Sequence, residues 1–127
     1  MRTRRIRRRY ALVGIYAIIN KTNGRVYIGS SSNLISRLAM HERALISGKH
    51  PNTEMQQDFD ANCHFEFDIL SVGRADRRGE RTVLSRGERL DLYALESKYI
   101  EEYDAIGTGY NQQPISKNLQ KQKRPGL

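Results

Sequence analysis

The sequence predicts a small mixed α/β domain, and two patterns near the start of the chain carry that prediction. Two β-compatible runs, at about 13–20 and 25–30, flank an Asn23-Gly24 turn. Asn-Gly between alternating apolar runs is a strong hairpin signal, because both residues tolerate positive φ. Apolar residues then recur at helical spacing through residues 33–47, so a helix is expected directly after the hairpin.

The first two predicted helices have recognisable start and stop signals. Ser and Asn side chains at 31–33 can cap the first helix, and Gly48 is placed to end it. After a loop, the Asn-Thr pair at 52–53 can cap a short helix over 54–61. The buried side of that short helix is expected to carry Met55 and Phe59.

The second half of the chain predicts one more strand and one more long helix. Apolar residues alternate along 65–70, which indicates a third strand. The charged stretch 74–89 is assigned to a solvated loop, with a phosphate-binding patch as the alternative. A helix over 87–104 and a Gly-rich turn over 107–111 follow, and Pro114 closes the ordered body. The buried stripe of this helix is marked by Leu92, Leu95, Tyr99 and Tyr103.

These elements bring several chemically active side chains together. Tyr16 and Tyr27 lie in the paired strands, and Arg37 and His41, four residues apart, share one face of the first helix. Such a set of phenols, guanidinium and imidazole can hold a phosphate and activate water. Glu96 projects from the apolar stripe of the last helix, where a carboxylate is costly to desolvate unless a cation or a metal ion compensates it.

The formal net charge of +8 is carried by the two ends of the chain. Residues 1–9 contain six arginines and no acid, and residues 115–127 contain four basic residues and no acid. Residues 10–114 hold twelve bases and fourteen acids, which is a net charge of −2. We therefore expect a basic flexible arm (1–9), a single domain (10–114) and a basic C-terminal tail (115–127).

Acid-free basic segments suit a polyanion, because each phosphate that they neutralise releases counterions. The sequence thus indicates contact with nucleic acid; a solubilising tail, or a targeting or appended segment, is the alternative. The candidate nucleic-acid-binding residues are Arg4, Arg5, Arg7, Arg8, Arg9, Lys121, Lys123 and Arg124.

Cys63 is the only cysteine, so no intramolecular disulfide can form, which is typical of a reducing compartment. The apolar run 10–19 lacks a small-residue cleavage site, and its ten residues are too few to span a bilayer. We expect a soluble intracellular protein, in the cytoplasm or wherever its nucleic-acid partner is, with no membrane partner. An organellar address stays open, and the oligomeric state is not determined by the sequence.

Two short motifs and three downstream landmarks resemble the GIY-YIG nucleases. The two motif tyrosines are 11 residues apart. The landmarks are, in order, Gly14-Ile15-Tyr16, Val26-Tyr27-Ile28-Gly29, Arg37 with His41, Glu96, and Gly109-Tyr110-Asn111. The similarity covers about residues 12–114, and it is closest to the catalytic modules of phage intron-encoded and free-standing homing endonucleases.

The resemblance implies a small three-stranded antiparallel sheet flanked by about three helices. It also implies an endonuclease that hydrolyses DNA phosphodiester bonds with one divalent metal ion, Mg²⁺ or Mn²⁺, and leaves a 5′-phosphate and a 3′-hydroxyl. The implied catalytic residues are Tyr16, Tyr27, Arg37, His41 and Glu96, with His50 and Asn111 in supporting positions.

Tyr16 is the candidate general base that activates the attacking water. A phenol with a pKa of about 10 is a poor base near neutrality, so it needs a neighbour, and His41 is the candidate to take its proton. Tyr27 either orients the water or the phosphate or is a half-buried strand aromatic. The same plain alternative applies to Tyr16 when it is considered alone.

The remaining candidates each have a chemical and a structural interpretation. Arg37 offers a planar, permanently charged fork to the scissile phosphate, or it is a surface arginine. Glu96 is the metal ligand, since Mg²⁺ binds few carboxylates and takes water and phosphate oxygens, or it pairs with a structural arginine. Asn111 positions Glu96 or forms the turn. His50 assists the leaving group or binds phosphate, or it is a plain loop histidine.

Two other functions stay open on the same residues: a non-catalytic basic nucleic-acid-binding protein, and a restriction or repair nuclease of the superfamily. Homing members carry a linker and a DNA-binding region after the nuclease module, whereas 16 residues follow Asn111 here. A specific protein–DNA interface needs on the order of 1,000 Å² of protein surface. The basic ends can raise affinity, but phosphate contacts carry no sequence information, so sequence-specific recognition is in doubt.

Overall fold

The computed structural model describes residues 10–79 and 81–112, which form one antiparallel sheet and three helices. The strands are β1 (Tyr10–Asn20), β2 (Val26–Ser31), β3 (Phe65–Arg78) and β4 (Arg81–Thr82), and the helices are α1 (Leu34–Ile46), α2 (Thr53–Asp60) and α3 (Arg86–Glu102). The strand order is β2-β1-β3-β4. The two basic ends, with all eight candidate nucleic-acid-binding residues, and Pro114 lie outside the described residues.

The predicted hairpin of β1 and β2 is present, with β1 starting earlier than expected, and α1 follows it directly. Gly24 takes a φ of 82° in the turn, a conformation that glycine adopts without strain. Asn33 caps α1 by accepting a hydrogen bond from the backbone N–H of Ser36, and Asn52 caps α2 in the same way. Within the described ranges, none of the helices is long and apolar enough to cross a membrane.

The sheet has four strands, where the resemblance implied three. β3 runs well past the predicted 65–70 and turns at Gly79 into β4, so the solvated loop predicted over 74–89 is wrong in its first half. The physical reason is a distant partner: the start of β1, from Tyr10 onwards, pairs with this charged stretch. The Arg74 guanidinium also lies over the Tyr10 ring, 4.8 Å from its centre.

Helices cover both faces of the sheet at β1 and β2. One face packs against α1 and α2 through a cluster made of Tyr16, Ile18, Leu34, Leu45, Met55 and Tyr110, with Phe59 at its margin. The other face packs against α3 through a cluster made of Ile15, Ala17, Val26, Ile28 and Ala105, with Leu92, Leu95 and Tyr99 at its margin. Tyr103, predicted for the buried stripe, is 39% exposed because it is the C-cap residue, where the chain leaves α3.

A β-bulge interrupts the pairing of β1 with β3 next to the first motif. The register shifts between Ile15 and Tyr16 and leaves Leu70 without a partner in β1. Bulges bend and twist a strand locally and are common beside functional sites. Beside this bulge the strands approach so closely that a Cβ at Gly14 would lie 1.8 Å from the carbonyl oxygen of Ser71, so the position requires glycine.

Candidate active site

Tyr16 lies at the centre of the sheet, on the face covered by α1. It is opposite Gly29 in the pairing of β1 with β2, and it is 1% exposed. A Cβ at Gly29 would lie 2.3 Å from the Tyr16 hydroxyl oxygen, so the phenol extends across the space that a side chain would fill. The glycine of the second motif therefore makes room for the tyrosine of the first.

The Tyr16 hydroxyl begins a line of hydrogen-bonded side chains. Its oxygen lies 2.7 Å from Nε2 of His41, and Nδ1 of His41 lies 2.8 Å from Nε2 of His50. The two imidazole rings stack with their centres 5.0 Å apart. Both histidines are buried, at 8% and 7% exposure, so two residues that the sequence placed on a helix and in a loop meet inside the protein.

Tyr27 completes the aromatic group. Its ring centre is 6.3 Å from that of Tyr16 and 5.6 Å from that of His41. Burial, and to a smaller extent the charge of Glu96, raises the pKa of Tyr27 above its ordinary value. Tyr27 is partly exposed, whereas Tyr16 is not, so Tyr27 is the phenol nearer to solvent.

Arg37 is exposed on α1, one turn before His41, and its charge acts on the buried group. Burial raises the pKa of both Tyr16 and Tyr27, and the positive charge of Arg37 opposes that rise in each of them. Its charge also opposes the rise in the pKa of Glu96. The charge of the Arg37 guanidinium therefore acts on Tyr16, Tyr27 and Glu96.

Burial sets the protonation states of the aromatic group. Burial, and to a smaller extent the neighbouring Tyr27, raises the pKa of Tyr16 above its ordinary value. Burial, His50 and Arg37 together lower the pKa of His41 to about 4, and burial lowers the pKa of His50. Near neutral pH the phenols are therefore protonated and both imidazoles are neutral.

Glu96 comes from α3, on the opposite face of the sheet, and approaches the group beside β2. Its Oε1 accepts a hydrogen bond of 2.9 Å from the Ser30 hydroxyl, directly after the second motif. Burial raises its pKa, while the Ser30 hydrogen bond and the Arg37 charge lower it in part. Glu96 is therefore a partly desolvated carboxylate that could hold a metal ion.

The Asn111 side chain pairs with the backbone of β2. Its Oδ1 accepts a hydrogen bond of 2.7 Å from the backbone N–H of Ile28, and its Nδ2 donates one of 2.9 Å to the Ile28 carbonyl oxygen. The side chain is therefore engaged with the backbone of the second motif.

Three residues at the site were not singled out for it by sequence reasoning. The Ser30 hydroxyl donates a hydrogen bond to Glu96. The backbone N–H of Asn52 donates to Nδ1 of His50 at 3.0 Å. The side chain of Gln56 accepts from the backbone N–H of His50 at 3.0 Å. For Asn52 the sequence did offer a signal, because it lies two residues after His50 and at a predicted helix cap. Ser30 and Gln56 carry no local signal, because their partners are distant in sequence.

Comparison with known proteins identifies the family of this domain. The family model of the GIY-YIG catalytic domain matches residues 12–111. The solved catalytic domain of the homing endonuclease I-TevI is 26% identical, with a TM-score of 0.62 over 80% of this chain and 98% of that one. A mutant of the catalytic domain of the intron endonuclease I-TevI is 27% identical, with a TM-score of 0.62 over 79% and 92%. No curated protein matches. The chain belongs to the GIY-YIG catalytic domain family, as its motifs predict.

Proposed function

We propose that this GIY-YIG nuclease is an endonuclease that hydrolyses DNA phosphodiester bonds with one divalent metal ion. The observation that carries the proposal is the contact of 2.7 Å between the Tyr16 hydroxyl and His41, with the charges of Arg37 and Glu96 acting on the same phenol. A water activator, a phosphate binder and a metal ligand are the parts that such a reaction needs. The likeness to the I-TevI homing endonuclease supports the substrate class.

Tyr16 is our candidate for the base that takes a proton from the attacking water. Since burial raises its pKa, the phenol must first lose its own proton, and His41 lies at its hydroxyl to assist that ionisation. Tyr27, the more exposed phenol, orients the water or the phosphate. A tyrosinate in this setting is a strong base, because its conjugate acid has a high pKa.

Arg37 is our candidate for the phosphate contact. Its guanidinium is the one cation whose charge is felt by Tyr16, Tyr27 and Glu96 among the described residues. A planar fork with five donors can bind two phosphate oxygens at once and stabilise the charge that grows on them in the transition state.

Glu96 is our candidate ligand for Mg²⁺ or Mn²⁺. Mg²⁺ binds through one or two carboxylates and keeps water and substrate phosphate oxygens as its other ligands, so a lone, partly desolvated carboxylate fits such an ion. The described parts of the chain hold no cluster of three or more His, Cys, Asp or Glu side chains, so DNA and water must complete the shell. When bound, the cation stabilises the negative charge on the leaving 3′-oxygen.

The two basic ends are, in this proposal, sequence-independent DNA contacts attached to a near-neutral catalytic domain. Residues 1–9 and 115–127 carry ten positive charges and no acid, and residues 10–114 carry a net charge of −2. Charges of this kind raise affinity for any duplex through the phosphates, without selecting a sequence.

The experiment that tests the function is cleavage of supercoiled plasmid by the full chain. We expect nicked or linear DNA with Mg²⁺ and none with EDTA. Tyr16→Phe, which removes only the hydroxyl, is expected to lose cleavage, whereas Tyr93→Phe, an exposed tyrosine on α3, keeps it. DNA binding without cleavage in every metal tried would instead support the non-catalytic alternative.

A further inference from the structure

A backbone amide starts the line of hydrogen bonds that ends on Tyr16. The N–H of Asn52 points at Nδ1 of His50 over 3.0 Å, and Nε2 of His50 meets Nδ1 of His41 at 2.8 Å. Nε2 of His41 then meets the Tyr16 hydroxyl oxygen at 2.7 Å. A backbone N–H can only donate, so this starting point decides the direction of every bond that follows it.

The direction can be followed atom by atom. Nδ1 of His50 must accept from Asn52, so neutral His50 carries its proton on Nε2 and donates it to His41. Nδ1 of His41 therefore accepts, and neutral His41 carries its proton on Nε2. That proton points at Tyr16, so His41 is the donor and the Tyr16 oxygen is the acceptor.

The amide at the start cannot turn away, because the loop around it is held by several other bonds. The Asn52 side chain accepts from the N–H of Met55 and donates to the carbonyl oxygen of Tyr110. The N–H of His50 donates to Oε1 of Gln56, whose Nε2 donates to the Leu45 carbonyl oxygen and to an Asp60 carboxylate oxygen. The side-chain amide of Gln56 is thus fixed in one orientation as well.

We propose that Asn52 and His50 are positioning residues that lock His41 as its Nε2–H tautomer, so that His41 donates a permanent hydrogen bond to Tyr16 and does not accept its proton. The inference rests on the proposed function for its catalytic meaning, and it reverses the direction of proton transfer expected from the sequence. A donor at the phenol oxygen stabilises the tyrosinate directly, since a hydrogen bond to the charged form favours that form.

The opposite direction would leave two donors facing each other. If His41 accepted from Tyr16, its Nδ1–H would donate to His50 and the His50 proton would move to Nδ1, opposite the N–H of Asn52. Both nitrogens of an imidazolium are donors. A charged His41 or a charged His50 would therefore also set two donors against each other, either between His41 and His50 or between His50 and the N–H of Asn52. The lowered pKa values of both histidines agree with this arrangement, with burial as their first cause.

The proton balance then runs through the other side of Tyr16. The phenol gives up its proton to solvent on the side of the neighbouring, partly exposed Tyr27, and His41 keeps its Nε2–H. The tyrosinate takes one proton from the attacking water as the water oxygen forms its bond to phosphorus and the bond to the 3′-oxygen breaks. The leaving 3′-oxygen takes one proton from solvent, which balances the proton that Tyr16 released. Tyr16 ends each turnover as it began, protonated.

The direct test is ¹⁵N NMR of the imidazole nitrogens in the full chain, without DNA or metal, at neutral pH. We expect protonated Nε2 and bare Nδ1 in both His41 and His50, with exposed His64 as the internal reference. A His41 that carries its proton on Nδ1, or on both nitrogens, overturns the proposal. This result is independent of catalysis, so a protein that fails to cut DNA refutes the proposed function and leaves the tautomer readout intact.

Variants at His50 connect the tautomer to turnover. His50→Phe keeps a stacked ring and removes the donor to His41, so we expect mixed His41 tautomers and a single-turnover rate lowered by at least about tenfold, with DNA affinity unchanged. His50→Gln retains an amide donor, and recovery of most of the rate is expected together with the single tautomer. The proposal is contradicted if the His50→Phe variant folds, shows a single Nε2–H tautomer at His41 and cuts at the full rate. If that variant does not fold, the wild-type ¹⁵N spectrum decides the question.

Discussion

Asn111 holds Ile28 by both of its backbone groups, accepting from the N–H at 2.7 Å and donating to the carbonyl oxygen at 2.9 Å. A side-chain amide thus takes the place that a neighbouring strand would occupy beside β2, which is the edge strand of the sheet. Edge strands otherwise leave such groups unpaired. Because Ile28 separates Tyr27 from Gly29, the brace fixes the strand that carries the second motif.

Replacing Asn111 by Asp should weaken this brace in a specific way. The carboxylate keeps an acceptor for the Ile28 N–H, but it loses the donor and places negative charge against the Ile28 carbonyl oxygen. We expect the free energy of unfolding to fall by about 1–3 kcal/mol. Urea denaturation measures it, and Gln112→Glu, an exposed neighbour with the same charge change, serves as the control. Equal losses in the two variants would point to a general charge effect and not to the brace.

Glu96→Gln should abolish cleavage and leave DNA binding intact. Glutamine keeps a partner for the Ser30 hydroxyl but removes the charge that a divalent cation needs. Loss of several kcal/mol of transition-state stabilisation corresponds to a rate lower by at least about a hundredfold. Single-turnover cleavage and a binding isotherm at fixed salt measure the two effects. Glu102→Gln, at an exposed acid of the same helix, is the matched control, and wild-type cleavage by Glu96→Gln would refute the metal assignment.

Arg37→Ala should lower the turnover rate by about a hundredfold to a thousandfold, because it removes a donor to the developing charge and the cation that favours ionisation of Tyr16. Arg37→Lys should recover only part of the rate, since an ammonium is a point charge without the fork. The measurement is single-turnover cleavage at saturating DNA, with Arg43→Ala on the same helix as the control. Full recovery by lysine would argue against a bidentate phosphate contact.

Acid should destabilise the protein through His41. Its pKa in the folded state is about 4, below the ordinary value near 6.5, so the unfolded chain binds more protons between these values. The stability that neutral His41 contributes is therefore fully present above about pH 6.5 and is lost as the pH falls through about 4, by about 3 kcal/mol at most.

Urea unfolding at several pH values from 8 to 4 measures that loss. His41→Gln, which does not titrate, should show a flatter dependence of stability on pH than the wild type, while His64→Gln at an exposed position should follow the wild type. Parallel curves for wild type and His41→Gln would mean that other groups control acid unfolding.

Deletion of residues 1–9 should change affinity and its salt dependence but not the chemistry. Each engaged cation contributes roughly 0.9 to the slope of log affinity against log salt, so loss of six arginines should flatten the slope by up to about five units. Binding at several salt concentrations and single-turnover cleavage at saturation measure the two properties. An unchanged slope would indicate that the arm does not contact DNA, and a lost rate at saturation would mean that it helps to build the active site.

The sequence predicted the parts of the structure whose signals are local. The Asn-Gly turn, the cap at Asn33 and the helical spacing that follows identified β1, β2 and α1, and the order of the landmarks identified the family. The extension of β3 was missed because the charged residues of that stretch do not reveal that it pairs with the start of β1. In the same way, no pattern along the chain shows that His50 is buried against His41, since that contact depends on the packing of a loop under α1.

The central position of β1 has a consequence for the nascent protein. β1 is made first, yet its partner β3 begins only at Phe65, and the carboxylate of Glu96 and the brace of Asn111 are made later still. Translation adds roughly 5–20 residues per second. For several seconds the nascent chain therefore contains Tyr16, Tyr27, His41 and His50 but not yet Glu96 or Asn111. A stalled or prematurely terminated chain that ends before Glu96 therefore carries the tyrosine and histidine side chains of the site but lacks its proposed metal ligand.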